Sequence, residues 1–232
     1  YQRGNGEKIV LGLAGKAALV TGASRGIGRA IALGLARDGV DIAINYRADH
    51  EAAEDVATQA RALGVKACTV AGDIGVVDDV RRIFDAADEA LGGLDILVNN
   101  AGVMTMGGFG AIAEADFDRM FAITKGVYFM LGQAATRLRD NGRIISISTG
   151  LTRNWAPGAA AYAGSKAAIE QFTRSLSKEV GPRGITVNAV LPGVVETDMT
   201  SGFPEERKRA AAQQTSFGRL GTAQDIADVV TL

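Results

Sequence analysis

The sequence predicts an α/β fold built on one doubly wound parallel sheet with helices on both faces. Short β-branched or aliphatic runs alternate with longer Ala-rich amphipathic segments along the whole chain, which is typical of repeated βαβ units. No linker, repeat or low-complexity stretch interrupts this alternation, and 232 residues suit a single domain of this class. We therefore expect residues 1–232 to form one domain, with residues 1–12 as an N-terminal extension.

Six runs are expected to be strands: Ala17–Thr21, Asp41–Asn45, Lys66–Ala71, Asp95–Asn99, Arg143–Ser148 and Ile185–Val190. Five segments with apolar residues at i, i+3 and i+4 are expected to be helices: Gly26–Asp38, Glu51–Leu63, Val77–Leu91, Asp116–Arg139 and Ala160–Val180. Right-handed crossovers place such helices on both faces of a Rossmann-type sheet, and ligands bind beyond the carboxyl ends of its strands.

Charge and hydropathy exclude several classes of function. Lys plus Arg number 25 against 26 Asp plus Glu, so the chain has no strong field for holding nucleic acid or an anionic membrane. No apolar run approaches the roughly 20 residues of a membrane span, and the polar start Tyr1–Lys8 lacks the core of a secretory signal. We expect a cytoplasmic protein that acts on a small molecule, without nucleic-acid or membrane partners.

The single cysteine and single histidine point away from redox and metal chemistry. Cys68 has no partner for an internal disulfide and is expected to be a small buried strand residue rather than a nucleophile. His50 lies in a polar stretch, where a solvated loop residue is favoured over a general base or a metal ligand. No metal site is expected.

A glycine-rich turn, Thr21–Gly28, follows the first predicted strand and leads into the first predicted helix. Glycine lets a backbone approach a pyrophosphate, and a helix N-terminus supplies unpaired N–H groups with partial positive charge. Tight strand-to-helix turns also need glycine for structural reasons, so the turn alone is weak evidence. Its context favours nucleotide binding, by Gly22, Ser24, Arg25, Gly26, Ile27 and Gly28.

The end of the second strand indicates which nucleotide is preferred. An acidic side chain there would bond the ribose hydroxyls of NAD, but the sequence reads Asn45, Tyr46, Arg47. Arg47, with Arg25 from the glycine turn, could pair with a 2′-phosphate, and Asn45 and Tyr46 are expected to contact the cofactor beside it. NADP(H) is therefore favoured over NAD, although both arginines could instead be ordinary solvated residues.

From about Leu13 to its end, the sequence resembles the short-chain dehydrogenase/reductase family, and is similar to its NADP-preferring, 3-oxoacyl-reductase-like members. The glycine turn has the family's Thr-Gly-x-x-x-Gly-x-Gly form, Asn99–Gly102 its Asn-Asn-Ala-Gly element, and Tyr162–Lys166 its Tyr-x-x-x-Lys signature. Pro192 and Gly193, followed by Thr197, resemble the turn that closes over the nicotinamide. The further cofactor contacts that this resemblance implies are Asp73, Ile74, Asn99, Ala101, Gly102, Tyr162, Lys166, Pro192, Gly193, Val195 and Thr197.

The spacing of Tyr162 and Lys166 also has a chemical interpretation of its own. The two residues are four apart in a predicted helix and share one face, and an ammonium beside a phenol favours phenolate. With the oxidised nicotinamide, Lys166 could lower the pKa of Tyr162 from about 10, making it a proton donor or acceptor. Without the other motifs, such a pair would ordinarily be a solvated helix face.

Thr149 occupies the position where the family has a serine, 13 residues before the tyrosine. It keeps a hydroxyl for the substrate oxygen, although its methyl group narrows the site. The neighbouring Ser148 ranks second, because strand alternation is expected to turn it to the opposite face. The resemblance thus implies hydride transfer between NADP(H) and a carbonyl or secondary alcohol, with Thr149, Tyr162 and Lys166 as catalytic residues.

Two departures from the family pattern affect this interpretation. The segment Phe121–Gly126 lacks the asparagine that positions a water for proton relay, as if one residue had been skipped. A deletion turns the rest of a helix by about 100°, so we expect it to be damaging. We favour an omission from the printed sequence, with a genuine loss that alters catalysis as the alternative. The chain also ends before the family's last strand, so either the tail is missing or one edge of the sheet is incomplete.

Substrate identity depends on the loops Val103–Ala115, Gly150–Ala161 and Val194–Gln214. Residues 194–214 are expected to form a lid with an apolar inner surface, and Trp155 and Met104 either line the pocket or pack. An apolar carbonyl compound is expected, with 3-oxoacyl thioesters, quinones, sugars and steroids all open. The competing hypotheses are a catalytically weak NADP-binding sensor or structural subunit, and an isomerase or dehydratase. A homo-oligomer, tetramer or dimer, is expected through the two longest helices, where Gly126 and Gly132 would allow close packing.

Overall fold

The computed structural model describes residues 12–231. Within them, the strands are β1 (Ala17–Val20), β2 (Asp41–Tyr46), β3 (Ala67–Ala71), β4 (Ile96–Asn99), β5 (Arg143–Ile147) and β6 (Thr186–Val190). The helices are α1 (Gly26–Arg37), α2 (His50–Ala62), α3 (Val77–Leu91), α4 (Glu114–Arg137), α5 (Ala160–Val180), α6 (Asp198–Ser201), α7 (Glu205–Gln213) and α8 (Ala223–Val230). Two short 3₁₀ turns lie at Gly150–Thr152 and Gly181–Arg183.

The six strands form one parallel sheet in the order β3-β2-β1-β4-β5-β6. This confirms the predicted doubly wound Rossmann-type fold. The strand order reverses between β1 and β4, and the loops after these two strands therefore diverge to opposite sides. A crevice at the carboxyl edge of the sheet results, at the place where such folds bind their ligands.

Two apolar cores cover the two faces of the sheet. Leu19 points from β1 into the core formed with α3, α4 and α5. Its neighbours Ala18 and Val20 point into the core formed with α1, α2 and α8. The central strands are buried on both faces, which explains why they are continuous apolar runs rather than alternating ones.

The predicted strands and the five longer helices are confirmed, with ends that differ from the structure by at most two residues. Helix α8 was missed because its eight residues are too few to show a clear helical period. Its signal was the capping box, in which Thr222 and Asp225 each bond the other's backbone N–H. The expected N-terminal extension, residues 1–12, lies outside the described residues except for Gly12.

Helix α4 runs without interruption through the place where the family's asparagine is lacking. Its buried residues follow one continuous stripe, at Met120, Ile123, Thr124, Gly126, Val127, Met130, Leu131 and Ala134. The expected damage from a 100° rotation is therefore not seen, because these residues keep the 3.6-residue period across that point. The hydroxyl of Thr124 donates to the carbonyl oxygens of Met120 (3.2 Å) and of Ser165 in α5 (3.1 Å).

Gly126 faces the interior of the chain rather than a neighbouring molecule. A Cβ atom at Gly126 would overlap the carbonyl oxygen of Ile74 and lie 2.6 Å from its carbonyl carbon. The expectation that Gly126 serves packing between subunits is thus wrong, since its lack of a side chain is needed within the chain. Gly132, by contrast, is exposed, with open space around it.

Among residues 12–231, none of the helices combines the length and the apolar character needed to cross a membrane.

Candidate active site

The glycine turn between β1 and α1 leads into a helix start that has no side-chain cap. Arg25, at the N-cap of α1, makes no side-chain capping bond, and the first turn of α1 has no acidic residue. The N–H groups at this helix start are therefore available to an anion. Gly28 packs against the carbonyl of Gly22, and a Cβ there would lie 2.5 Å from Nδ2 of Asn100. Only glycine fits that position.

The loop after β4 is bonded directly to the glycine turn. Thr21 Oγ1 accepts from the backbone N–H groups of Asn100 (3.0 Å) and Ala101 (3.1 Å). Asn100 Nδ2 donates to the carbonyl oxygens of Thr21 (3.0 Å) and Gly22 (3.2 Å). Gly22 has φ 62°, and a Cβ on it would lie 2.9 Å from Cα of Ala101. The two loops that flank the crevice thus form one rigid unit.

Asn45, near the end of β2, uses its side chain to link the glycine turn to the end of β3. Its Oδ1 accepts from the N–H of Gly22 (3.4 Å), and its Nδ2 donates to the carbonyls of Val70 and Gly72 (both 3.1 Å). Asn45 is only 2% exposed. Its amide is therefore occupied by the protein, so that Asn45 can contribute to a cofactor contact only through its backbone or by shaping the floor.

Tyr46 and Arg47 follow Asn45 at the rim of the crevice. The hydroxyl of Tyr46 is 2.9 Å from Nδ1 of His50, and the two rings are 5.5 Å apart. Arg47 is exposed. Arg25 lies 3.6 Å from the carboxylate of Asp198 in α6, with both side chains mostly exposed. Arg25 and Arg47 thus lie in the loops that follow β1 and β2, at the carboxyl end of the sheet.

Asp73 and Ile74 follow β3, next to the same rim. Burial by itself raises the pKa of Asp73, but hydrogen bonds from Arg119 (3.1 Å) and from the N–H of Gly75 (2.8 Å) keep that pKa below its usual value. Arg119 lies on α4, and no sequence pattern indicated its contact with Asp73. The carboxylate is thus held ionised and in a fixed orientation.

Asn99, the last residue of β4, carries a buried polar atom without a protein partner. Its Nδ2 is 3.5 Å from Oγ of Ser146, whereas Oδ1 has no hydrogen-bond partner in the described part of the chain. Buried polar atoms are rarely left unpaired. The glycine turn, the uncapped N–H groups at the start of α1 and this free acceptor together fit a crevice that binds a polar dinucleotide.

Tyr162 and Lys166 share the buried face of α5, and are 8% and 5% exposed. The ammonium of Lys166 donates a 2.9 Å hydrogen bond to the carbonyl oxygen of Ile147, at the end of β5. A Cβ atom at Gly102 would lie 3.3 Å from Nζ of Lys166. The structure therefore brings the lysine of α5 against the Asn-Asn-Ala-Gly loop that the sequence analysis assigned to the cofactor.

Burial shifts the pKa values of both residues. It raises the pKa of Tyr162 above 10, and it lowers the pKa of Lys166 from 10.5 to about 8. The expected lowering of the tyrosine pKa by Lys166 is therefore not seen in the protein alone. The physical reason is that desolvation dominates at both groups, and the ammonium is directed to the Ile147 carbonyl.

Thr149 lies two residues after the end of β5 and is 8% exposed. Its Oγ1 accepts a 3.3 Å hydrogen bond from the N–H of Leu151 and so caps the short 3₁₀ turn that follows. The hydroxyl of Ser148 instead donates to Oε1 of Glu170 at 2.7 Å. Ser148 is thus engaged elsewhere, in keeping with its lower rank. Glu170 was missed, although it continues the Tyr162 and Lys166 face by one further turn.

The segment after β6 forms the third side of the crevice. The carbonyl of Pro192 accepts a 2.7 Å hydrogen bond from the N–H of Gly150, and Gly193 is exposed beside it. Val195 is buried in the apolar core, so only its backbone can face a ligand. A Cβ at Gly26 would lie 3.6 Å from Cγ2 of Thr197. Residues 192–197 therefore approach both the glycine turn and the Thr149 loop.

Two exposed aromatic side chains project from loops at this edge. Phe109, in the loop after β4, is 98% exposed, and Trp155, in the loop after β5, is 91% exposed. The two loops are joined by a 2.9 Å hydrogen bond from the N–H of Gly107 to the carbonyl of Gly158. Met104 is half-buried in the same region.

Comparison with known proteins assigns the family. Residues 16–208 match the family model described as short chain dehydrogenase. The chain belongs to the short-chain dehydrogenase/reductase family of oxidoreductases, as its motifs indicated.

Individual relatives are reductases or NADP complexes. The hydroxynaphthalene reductase-like protein Arp2 of Metarhizium brunneum is 40% identical, over 97% of this chain and 90% of its own length. A short chain dehydrogenase from Burkholderia cenocepacia, solved in complex with NADP, has a TM-score of 0.89 at 40% identity, covering 94% of this chain and 89% of its own. The landomycin C-6 ketoreductase LanV, solved with NADP and rabelomycin, has a TM-score of 0.85 at 42% identity, covering 94% and 88%.

Proposed function

We propose that the protein is an NADP(H)-dependent reductase that transfers hydride to a ketone and uses Tyr162 as the proton donor. The observation that carries this proposal is the convergence of α5 with the cofactor loop, where Nζ of Lys166 lies against Gly102. Thr149 lies two residues beyond β5, at the start of the 3₁₀ turn. A proton donor, a cation and a second hydroxyl are thus supplied to one crevice.

The choice of NADP(H) is supported by the chemistry of the crevice and by the solved neighbours. The uncapped helix start after the glycine turn suits a pyrophosphate, and Arg25 and Arg47 offer positive charge there, with no acidic residue at the carboxyl end of β2. Similar proteins at about 40% identity were solved with NADP. The nicotinamide supplies the hydride when the cofactor is bound. The residues proposed to hold it are those named from the sequence, with Asn45 and Val195 acting through their backbones.

The pKa values favour reduction near neutral pH. Because burial raises the pKa of Tyr162, its phenol is protonated and can give a proton to the oxygen of a carbonyl substrate. Lys166, with a pKa of about 8, is mostly an ammonium at pH 7 and stabilises the phenolate that remains. The hydroxyl of Thr149 donates to the same substrate oxygen and orients it.

A ketone on a fused aromatic ring system is the proposed substrate class. Two observations support it: the exposed rings of Phe109 and Trp155 in the loops after β4 and β5, and relatives named as hydroxynaphthalene reductase-like proteins and as angucycline and landomycin ketoreductases. Flat aromatic ligands bind well against aromatic side chains, through offset stacking and apolar contact. This narrows the broader expectation of an apolar carbonyl compound.

Residues 194–214, which contain α6 and α7, are proposed as the lid. This segment touches the glycine turn through Thr197 and through the pair of Arg25 and Asp198. Met199 is 44% exposed and Phe203 is half-buried under the guanidinium of Arg207, 4.0 Å from its ring. Closure over a bound substrate would cover this apolar surface and exclude water from the reacting groups.

A homo-oligomer, dimer or tetramer, is proposed through α4 and α5. Tyr128 and Phe129 project from α4 and are 56% and 40% exposed. Tyr128 also meets Phe172 of α5 edge-on, with ring centroids 5.2 Å apart. Aromatic residues clustered on the outer face of two packed helices are typical of a surface covered by another subunit.

The test of the proposed function is cofactor oxidation by the purified protein against a panel of carbonyl compounds. The panel should contain fused-ring aromatic ketones and quinones, a 3-oxoacyl thioester and a simple aliphatic ketone, each assayed with NADPH and with NADH. We expect NADPH consumption with the fused-ring compounds, and the alcohol as product. Consumption with the thioester alone would contradict the substrate class while leaving the reductase in place.

The lack of the family's asparagine in α4 favours a second candidate, a catalytically weak NADP-binding protein. In that case NADPH binds but no carbonyl consumes it. Conversion of a compound without net change in NADPH would instead indicate an isomerase or dehydratase. Titration of NADPH binding by fluorescence, run beside the turnover assay, separates these outcomes.

A further inference from the structure

A buried carboxylate, Glu170, lies on α5 one turn beyond Lys166. Glu170 is 5% exposed and occupies the same helix face as Tyr162 and Lys166, because the three residues are spaced four apart. Its Oε1 accepts a 2.7 Å hydrogen bond from Oγ of Ser148, and its Oε2 lies 3.1 Å from Nη2 of Arg153. Both carboxylate oxygens are therefore bound by groups of the loop after β5.

The two partners of Glu170 bracket Thr149. Ser148 directly precedes it, and Arg153 directly follows the 3₁₀ turn that the Thr149 hydroxyl caps. Glu170 therefore ties both ends of the segment 148–153 to α5. Since α5 also carries Tyr162, this linkage fixes the threonine hydroxyl relative to the phenol.

The burial of Glu170 needs an explanation beyond stability. A carboxylate loses its hydration when it is buried, and a buried ion pair contributes little net stability compared with well-packed apolar groups. The pairing with Arg153 is also weakened by solvent, because the arginine side chain is 63% exposed. Each oxygen of the Glu170 carboxylate accepts one hydrogen bond, and the two donors lie in fixed directions. The carboxylate therefore fixes the position of the groups that donate to it.

We propose that Glu170 is a positioning residue for the reduction, acting through Thr149. This inference rests on the proposed function. The carboxylate holds the 148–153 segment so that the Thr149 hydroxyl meets the substrate oxygen at the distance at which Tyr162 can protonate it. Small errors in the placement of such groups lower rates strongly.

The principal experiment is the substitution Glu170→Gln, which keeps the shape but removes the charge and one acceptor. We expect kcat for the ketone to fall about tenfold, with the NADPH dissociation constant unchanged within about twofold. In a Thr149→Ala background the same substitution should cost less than about twofold, because the group through which it acts is gone. The matched control is Glu179→Gln, an exposed glutamate of the same helix, which should leave kcat unchanged.

Separate variants test the two tethers. Ser148→Ala and Arg153→Gln should each lower kcat by a few-fold, and neither should add to the loss caused by Glu170→Gln. Since Arg153 is largely exposed, its substitution is compatible with folding and tests the inference even if the buried variants are unstable. An unchanged kcat in Glu170→Gln, or a tenfold loss that persists in the Thr149→Ala background, would overturn the inference.

Hydrogen exchange of the peptide covering residues 149–153 gives a readout independent of turnover. Glu170→Gln should speed exchange there by about tenfold, with no change at the glycine turn. If the unmodified protein does not oxidise NADPH, the proposed function fails, and the positioning role in reduction fails with it; faster exchange in this peptide would then show only that Glu170 holds the 148–153 segment. Unchanged exchange would remove that role while leaving the reductase proposal intact.

Discussion

The ammonium group of Lys166 donates a 2.9 Å hydrogen bond to the carbonyl oxygen of Ile147 in a site that is nearly closed to solvent. This bond links the helix that carries the proposed proton donor to the strand that leads to Thr149. It also satisfies only one of the three donors of the ammonium within the described part of the chain. The protein without cofactor thus keeps a cation in an environment that disfavours it.

Lys166→Met is therefore expected to stabilise the protein while abolishing turnover. Burial lowers the pKa of Lys166 to about 8 in the folded state, whereas the unfolded value is 10.5. Below pH 8 both states hold the proton and the folded state bears the whole penalty. As pH rises from 8 to 10.5, the unfolded state binds more protons, so the penalty disappears. At pH 7 the variant should gain about 1 to 2 kcal/mol, or roughly 2 to 8 °C in Tm.

Thermal unfolding at pH 7 and pH 10 measures this difference, without cofactor present. The increase in Tm caused by Lys166→Met should be smaller at pH 10 than at pH 7. The control, Lys178→Met, replaces an exposed lysine of the same helix and should change Tm little at either pH. A variant at position 166 that is less stable than the parent at pH 7 would show that the hydrogen bond outweighs the burial penalty.

Gly126→Ala is expected to destabilise the protein, although alanine normally favours a helix. A methyl group at Gly126 would overlap the backbone of Ile74, which is held in place by the elements packed around it. We therefore expect the free energy of unfolding to fall by about 3 kcal/mol or more. Gly164→Ala, at an exposed position of α5 with open space around it, should instead gain up to about 1 kcal/mol. Urea unfolding of both variants measures whether each substitution lowers or raises the free energy of unfolding. Equal effects at the two sites would contradict the close packing of α4 on the loop after β3.

Arg47→Ala is expected to weaken NADPH binding by about 10- to 100-fold and to leave NADH binding nearly unchanged. A charge-assisted hydrogen bond to a phosphate contributes about 1.5 to 3 kcal/mol, and only NADPH carries the 2′-phosphate. Fluorescence titration measures the dissociation constants of NADPH and NADH for the variant and for the parent protein. Arg37→Ala, at the exposed end of α1, controls for the change in net charge. Equal weakening of both cofactors would place Arg47 away from the 2′-phosphate.

The strands and longer helices could be predicted because their signals are local. Runs such as Ile42–Ile44 are buried on both faces, and the stripe from Met120 to Ala134 repeats at the helical period. The glycine turn and the Tyr162 and Lys166 pair also follow from spacing alone. These features need no knowledge of what lies across the fold.

What the sequence could not predict depends on tertiary contacts. Gly126 contacts Ile74 across 52 positions of the chain, and Asn45 is occupied by Gly22, Val70 and Gly72. Neither partner set can be inferred from neighbours in sequence. The pKa of Tyr162 was expected to fall under the joint effect of Lys166 and the oxidised nicotinamide. In the protein alone, burial of the phenol, which only the folded structure reveals, raises that pKa.

The most direct test of the central claim compares Tyr162→Phe with the parent protein in NADPH binding and in NADPH-dependent ketone reduction. Phenylalanine preserves the ring and its burial but cannot give a proton. We predict that kcat falls by about 10²- to 10⁴-fold while the NADPH dissociation constant stays within about threefold. Retention of the parent's kcat by the variant would contradict the account, since another group would then have to protonate the substrate oxygen.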